Sequence, residues 1–382
     1  MELLVFDKIK ENDGIRALEA GDMTGLRRAV ICFSEREGIT SDGFREYIVD
    51  LLANDENILS RLLKRGMQVG EDLYQAALSD MQQIFEGLLS VECTYRPSGN
   101  PHGFYEGYEQ SIRRLVEASE PVEMLDRLCA HYKSLGSGVL AKFIAYKYEG
   151  KIKGVIPDKT VTFDSLIGLE HQKQILLDNT KALLARKPAN NVLLFGDRGT
   201  GKSSCVKALL NMFYRDGLRV IEFPKEAIGK IPEVTRELAQ SPNEYIIFLD
   251  DLSFEKHDKE YRALKIAMEG QLQATPDNVV IYATSNRRHL IKETWADREG
   301  GEVHKNDNMQ ETLSLSERFG ISLVFASPNQ QEYLRIVKEL LARAGVSITP
   351  ELEKQAIVWQ MNYGSRNPRS AKQFVSSYTS KL

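Results

Sequence analysis

The run Val192-Leu193-Leu194-Phe195-Gly196-Asp197-Arg198-Gly199-Thr200-Gly201-Lys202-Ser203 decides how the rest of the chain is read. Four apolar residues of strand length enter a loop that fits GxxxxGK[ST] at every fixed position, and Ser204 continues into a helical stretch reaching Leu210. Glycines at these positions let the backbone pass close to a phosphate, with its N–H groups at the positive end of the next helix. Lys202 is placed to reach the β- and γ-phosphates, and the Ser203 hydroxyl to ligate Mg²⁺. Gly196, Asp197, Arg198, Gly199, Thr200, Gly201 and Ser204 complete the expected nucleotide contacts, and ATP with Mg²⁺ is the expected ligand pair. A chance glycine turn with an incidental lysine would lack the strand before it and the helix after it.

Outward from this loop, Arg219 to Phe223, Tyr245 to Leu249, Val279 to Ala283 and Ser322 to Phe325 join Val192 to Phe195 as five buried strands alternating with helical stretches. That alternation predicts an α/β fold with a parallel sheet covered on both faces. The strand Tyr245 to Leu249 ends in Asp250-Asp251, which places carboxylates at the carboxyl edge of the sheet, where ligands of open α/β sheets bind. Asp250 is expected to hold Mg²⁺ through water, and Asp251 to orient or deprotonate an attacking water. Glu255, four residues on, stands as an alternative base. Asn286, just past the next strand, is either a water-positioning group or a turn asparagine. Arg318, in Leu313-Ser314-Leu315-Ser316-Glu317-Arg318-Phe319, is a candidate for stabilising charge on a transferring phosphoryl group. Arg369 follows Pro368, which starts a terminal helix, and can point back at the nucleotide; Arg366 competes for that role.

The 382 residues are 42% hydrophobic and 27% charged, the balance of an ordinary globular chain. No run approaches membrane-span length and residues 1–20 hold no signal-peptide core, so a cytoplasmic location and no membrane partner are expected. Four widely separated cysteines predict reduced, buried thiols rather than a disulfide or zinc framework. A formal charge of -4 argues against non-specific nucleic-acid binding as the main activity. Three regions emerge: an all-helical stretch over 1–150, the α/β core over 159–327, and a helical lid over 328–382. In the first, Phe44, Ile48, Leu51 and Leu52, then Leu73, Ala77, Ile84 and Leu88, recur at helical steps, and Val139 to Tyr148 is read as its last helix. The aromatic cluster Phe104, Tyr105 and Tyr108 is either a contact surface or packing.

With those residues in place, the chain resembles the AAA+ class of P-loop NTPases from about Phe163 to Phe374. Leu166-Ile167-Gly168-Leu169, Walker A, Walker B, a sensor 1 asparagine, an arginine finger and a sensor 2 arginine stand in that order. More closely, it is similar to a bacterial domain-of-unknown-function family of AAA+ ATP-binding proteins. The matching stretches are Asn190 to Ser204, Asp250-Asp251-Leu252-Ser253-Phe254-Glu255, Ala283 to His289 and Ser314 to Gly320. Arg366-Asn367-Pro368-Arg369 departs from the family's Arg-Ser-Gly-Arg but keeps the last arginine. The resemblance implies that Ile167 and Gly168 line the adenine pocket. It also implies a homo-oligomeric ring, most often a hexamer, with Arg318 in the neighbour's site.

Two functions are consistent with these readings. One is an ATP-hydrolysing remodelling or loading motor; the other is a nucleotide-controlled assembly switch with slow hydrolysis, of which a DNA-replication-type loader is one form. A small-molecule kinase fits the lid and neighbour arginines poorly. A protein client is favoured over DNA, because no helix-turn-helix with a basic recognition helix is present. Lys292 to Glu311 reads as an exposed insertion, and His289 and His304 as surface or packing residues.

Overall fold

The computed structural model describes residues 2–37, 43–91, 105–254, 258–269, 276–286, 318–362 and 366–381. The chain forms two compact units, Met1–Ile156 with Gln240–Asn243, and Pro157–Ala239 with Glu244–Leu382. No helix among the described residues is long and apolar enough to cross a membrane.

Helical spacing governs most of the first unit. Helices Gly43–Ala53, Glu71–Gly87 and Pro121–Ser134 turn Phe44, Ile48, Leu52, Ala77, Ile84, Leu125 and Leu128 into one core. Tyr108 is buried as well, and its hydroxyl donates to Asp50 at 2.9 Å, so packing is its role; Phe104 lies outside the described residues.

The unit does not end as a helix. The predicted helix from Val139 stops at Lys142, and Ala145–Tyr148 (β1) pairs antiparallel with Ile152–Val155 (β2). Tyr146 and Tyr148 are buried on either side of an exposed Lys147, a period-two pattern that aromatic residues favour in strands. Gly150, at φ +74°, closes the turn. The stretch 1–150 is therefore not all-helical, and β2 lies between it and the α/β core read over 159–327.

In the second unit, β3 (Val192–Gly196), β4 (Leu218–Glu222), β5 (Glu244–Leu249), β6 (Val279–Ser285) and β7 (Ile321–Phe325) lie in the order β4-β5-β6-β3-β7, every pairing parallel. With the hairpin, the described residues hold seven strands rather than the five read from sequence. Every residue of β5 and β6 is buried, as a sheet covered on both faces requires. The register puts Leu193 beside Ala283 and Leu194 beside Leu323, so β3, one strand in from the β7 edge, delivers its loop between the ends of β6 and β7.

Three helices, Gln330–Arg343, Pro350–Asn362 and Pro368–Thr379, occupy the segment read from sequence as a lid. Tyr333, Ile336, Val337 and Leu341 pack with Leu352, Ala356, Phe374 and Val375, and Ile167 from the segment before the sheet joins them. Asn329 and Asn367 start the first and third lid helices with capping boxes, each worth about 1 kcal/mol.

Of the cysteines, Cys205 is buried and Cys129 half-buried, while Cys32 is exposed, contrary to the expectation of uniformly buried thiols.

Candidate nucleotide site

The loop after β3 is shaped by what crowds it. At Gly196, φ is +135° and an added Cβ would come within 2.2 Å of the Phe325 carbonyl oxygen, so only glycine fits beside the end of β7. The Asp197 N–H donates to that same oxygen at 2.9 Å. The Asp197 carboxylate accepts the Ser327 N–H at 2.9 Å, and hydrogen bonds from Ser327 hold it below the usual carboxylate range. Thr200 donates to the Asp197 carbonyl at 2.7 Å and tightens the turn. From the lid, Asn367 donates to the Arg198 carbonyl at 3.2 Å.

Lys202 opens the next helix, Lys202–Phe213, and is only 7% exposed. Its ammonium donates to the carbonyls of Gly196 at 2.8 Å and Asp197 at 2.7 Å, and to Asn286 Oδ1 at 3.2 Å. Burial pushes its pKa below the ordinary lysine value, while Asp251, Asp197 and Asp250 pull the other way. Three oxygen acceptors around one ammonium are the arrangement that phosphate oxygens can replace.

The acids arrive from β5. The Ser203 hydroxyl donates to Asp250 Oδ1 at 2.6 Å, and the Thr284 hydroxyl donates to the same oxygen at 2.6 Å. Asn286 Nδ2 donates to Asp251 Oδ1, so Asn286 bridges Asp251 to Lys202.

These groups face one cavity of about 680 Å³, within the range of small-molecule sites. Arg198, Gly199, Thr200, Gly201, Lys202, Ser203 and Ser204 line it on the loop side. Asp250, Asp251, Thr284 and Asn286 line it from the strands, and Arg369 from the lid; Arg366 is not part of the lining. Gly196 and Asp197 are not part of it either, and contribute through the carbonyls that hold Lys202. Ile167 borders this cavity and a second one of about 340 Å³, whose wall includes Gly168 and Arg335. A magnesium nucleotide fits this donor set: a hydroxyl and a carboxylate already 2.6 Å apart are hard oxygen ligands, beside an ammonium with exchangeable acceptors.

One expected residue lies elsewhere and another falls outside the described residues. Arg318 precedes β7 by three residues, at the end of the sheet opposite the loop, and does not line the cavity. Five residues of strand put roughly 15 Å of sheet between them. Glu255 lies outside the described residues, as do His289, His304 and the 292–311 segment. Conversely, Thr284, Lys207 and Lys372 line the cavity and were not singled out from sequence. Lys372 sits three residues past Arg369 on one helix, a spacing that was legible.

Residues 141–382 match the family described as "Protein of unknown function (DUF815)". The chain belongs to the DUF815 family. Its sequence relatives place this family among AAA+ ATPase-like proteins. The "26S proteasome regulatory subunit 6B homolog" of Schizosaccharomyces pombe is 30% identical over 132 residues, 30% of this chain and 34% of that protein. The "Probable spastin homolog" of Brugia malayi is 22% identical over 334 residues, 80% of this chain and 67% of that protein. The DUF815 chain thus spans about a third of the length of the proteasome subunit it matches. Among solved structures, the Thermotoga maritima RuvB Holliday junction branch migration motor aligns at TM-score 0.36 and 15% identity, covering 57% of this chain and 72% of that one. AMPPCP-bound DnaA from Aquifex aeolicus aligns at TM-score 0.38 and 16% identity, covering 57% and 64%.

Proposed function

We propose that this DUF815 protein binds and hydrolyses ATP, and acts as an oligomeric remodelling or loading motor on a protein client. The observation that carries the reading is the convergence of Lys202, Ser203, Asp250, Asp251, Asn286 and Arg369 on one cavity. Lys202 exchanges the two loop carbonyls for phosphate oxygens, which releases the loop from its own ammonium. Ser203, with Asp250 acting through water, would hold Mg²⁺, which would supply positive charge to the transferring phosphoryl group. Asn286, bonded to Asp251, orients that carboxylate toward an attacking water, and Asp251 takes the water's proton as the γ-phosphoryl group transfers to it. Glu255 is the second candidate for that proton.

Arg369 approaches the phosphates from the lid, so hydrolysis is coupled to lid movement. Ile167, which packs in the lid core and borders both cavities, joins Gly168 in holding the base. Arg318, on the far end of its own sheet, serves the site of a neighbouring copy through a head-to-tail contact, which a ring repeats at every subunit. The formal charge of -4 favours a protein client over DNA.

The test pairs two variants. Lys202→Ala is expected to abolish binding of a fluorescent ATP analogue, and binding equal to the parent's would refute the site. Arg318→Ala is expected to bind ATP normally while turnover falls about 1,000-fold. Parent turnover per subunit should also fall on dilution. Concentration-independent turnover that survives Arg318→Ala removes the ring from the proposal.

A second reading, a slow assembly switch, is favoured by one feature. The second acid is aspartate, one methylene shorter than glutamate, and its carboxylate is already bonded to Asn286. Nucleotide-dependent oligomerisation with turnover slower than about one per minute would select it.

A further inference from the structure

Two acids in succession on an extended strand point to opposite faces, yet both Asp250 and Asp251 border one cavity. The chain achieves this by turning. Asp251 has φ +52°, and among the described residues only it and Arg186 are non-glycine positions with positive φ. This left-handed conformation costs an ordinary L-residue about 1–2 kcal/mol, less for aspartate, so something must hold it.

What holds it is the end of β6, and above all Thr284. The Asp251 N–H donates to Thr284 Oγ1 at 2.8 Å, and the next N–H, of Leu252, donates to the Thr284 carbonyl at 2.7 Å. The Thr284 hydroxyl spends its own hydrogen on Asp250 Oδ1 at 2.6 Å. Ser285 adds a bond from its hydroxyl to the Leu252 carbonyl at 2.8 Å. One hydroxyl thus accepts from the backbone of one acid and donates to the carboxylate of the other. Thr284 is 1% exposed, and its β-branch limits the rotamers open to that hydroxyl.

We propose that Thr284 is a positioning residue that divides the work of the two acids: it sends Asp250 to Ser203 and leaves Asp251 to Asn286. The proposal rests on the hydrolysis reading above. Its hydroxyl, not its bulk, carries the effect, because the two bonds to the acids both end on that oxygen.

Thr284→Val keeps the shape and removes both bonds; Thr284→Ser keeps the hydroxyl. In the full-length protein, Thr284→Val is expected to lower kcat about 30-fold with the KM for ATP changed less than about threefold. Thr284→Ser is expected to recover most of that loss. A readout independent of turnover is Mn²⁺ binding in the presence of ADP, followed by electron paramagnetic resonance. Asp250 loses a fixing bond in Thr284→Val, and Mn²⁺ affinity should weaken about tenfold. Parent-like kcat and Mn²⁺ affinity in Thr284→Val overturn the proposal. Equal losses in Thr284→Val and Thr284→Ser also overturn it, since they assign the effect to packing. If Thr284→Val does not fold by circular dichroism, Thr284→Cys, with a weak donor of similar size, takes its place under the same criteria. A parent that binds but does not turn over ATP refutes the hydrolysis reading alone, and the Mn²⁺ comparison then decides the role of Thr284.

Discussion

The glycine-rich loop after β3 and the acid turn after β5 border the same cavity, but they are held in different ways. The loop is held by backbone geometry: Gly196 is pressed against the end of β7, and left-handed Gly199 and Gly201 let it wrap. The acid turn contains no glycine, and a non-glycine residue takes its left-handed position under the hold of a side-chain hydroxyl from β6. The loop carries in its own glycines the freedom to wrap, while Phe325, Ser327 and Asn367 fix it from far along the chain. A turn held from a neighbouring strand depends on a residue far away in sequence.

Several substitutions probe that contrast. The largest effect is expected for Gly196→Ala. Its new Cβ meets backbone rather than a movable side chain, so a loss of about 3 kcal/mol is expected in chemical denaturation. A melt equal to the parent's would remove backbone crowding as the loop's anchor. Next comes Asn367→Ala, which removes a capping box and the bond to the Arg198 carbonyl. It should cost about 1–2 kcal/mol and weaken nucleotide affinity, as titration calorimetry would read; an effect on stability alone would detach the lid cap from the loop.

The acid turn predicts the reverse sign. Asp251→Gly relieves the left-handed backbone and is expected to melt at or slightly above the parent, by under about 1 kcal/mol, while turnover disappears. A drop of 2 kcal/mol or more would mean that the turn is not strained. The smallest effect concerns Asp197→Asn. Because Ser327 depresses the Asp197 pKa, its stabilisation is present at neutral pH and is lost as pH falls through the folded value, below the ordinary 3.8. The difference in melting temperature between parent and Asp197→Asn should therefore be small at pH 7 and close as the pH falls below 3.8.

Much of the site was legible beforehand because its parts are local. Strand, loop and helix around Lys202 are contiguous, and the paired acids stand at the end of an apolar run, so residue type and spacing were enough. Two other parts were less legible. The hairpin at Ala145–Tyr148 was read as helix because Val139, Leu140 and Ile144 mimic helical spacing just before the alternation of Tyr146 and Tyr148 begins. Thr284 gave no signal, since a threonine at the end of a buried strand is ordinary.

For the opening stretch, Val192 to Ser203, the sequence by itself determined the strand, the loop and the placement of an ammonium beside a hydroxyl. Glycines and a following helix allow few other conformations. Tertiary structure alone decided the partners: that Phe325 makes Gly196 obligatory, that Asn367 ties the loop to the lid, and that Thr284 turns Asp251 toward the cavity. The physical reason is distance along the chain. Each of these contacts joins residues dozens of positions apart, and only the parallel register of β5, β6, β3 and β7 and the packing of the lid bring them within hydrogen-bonding range.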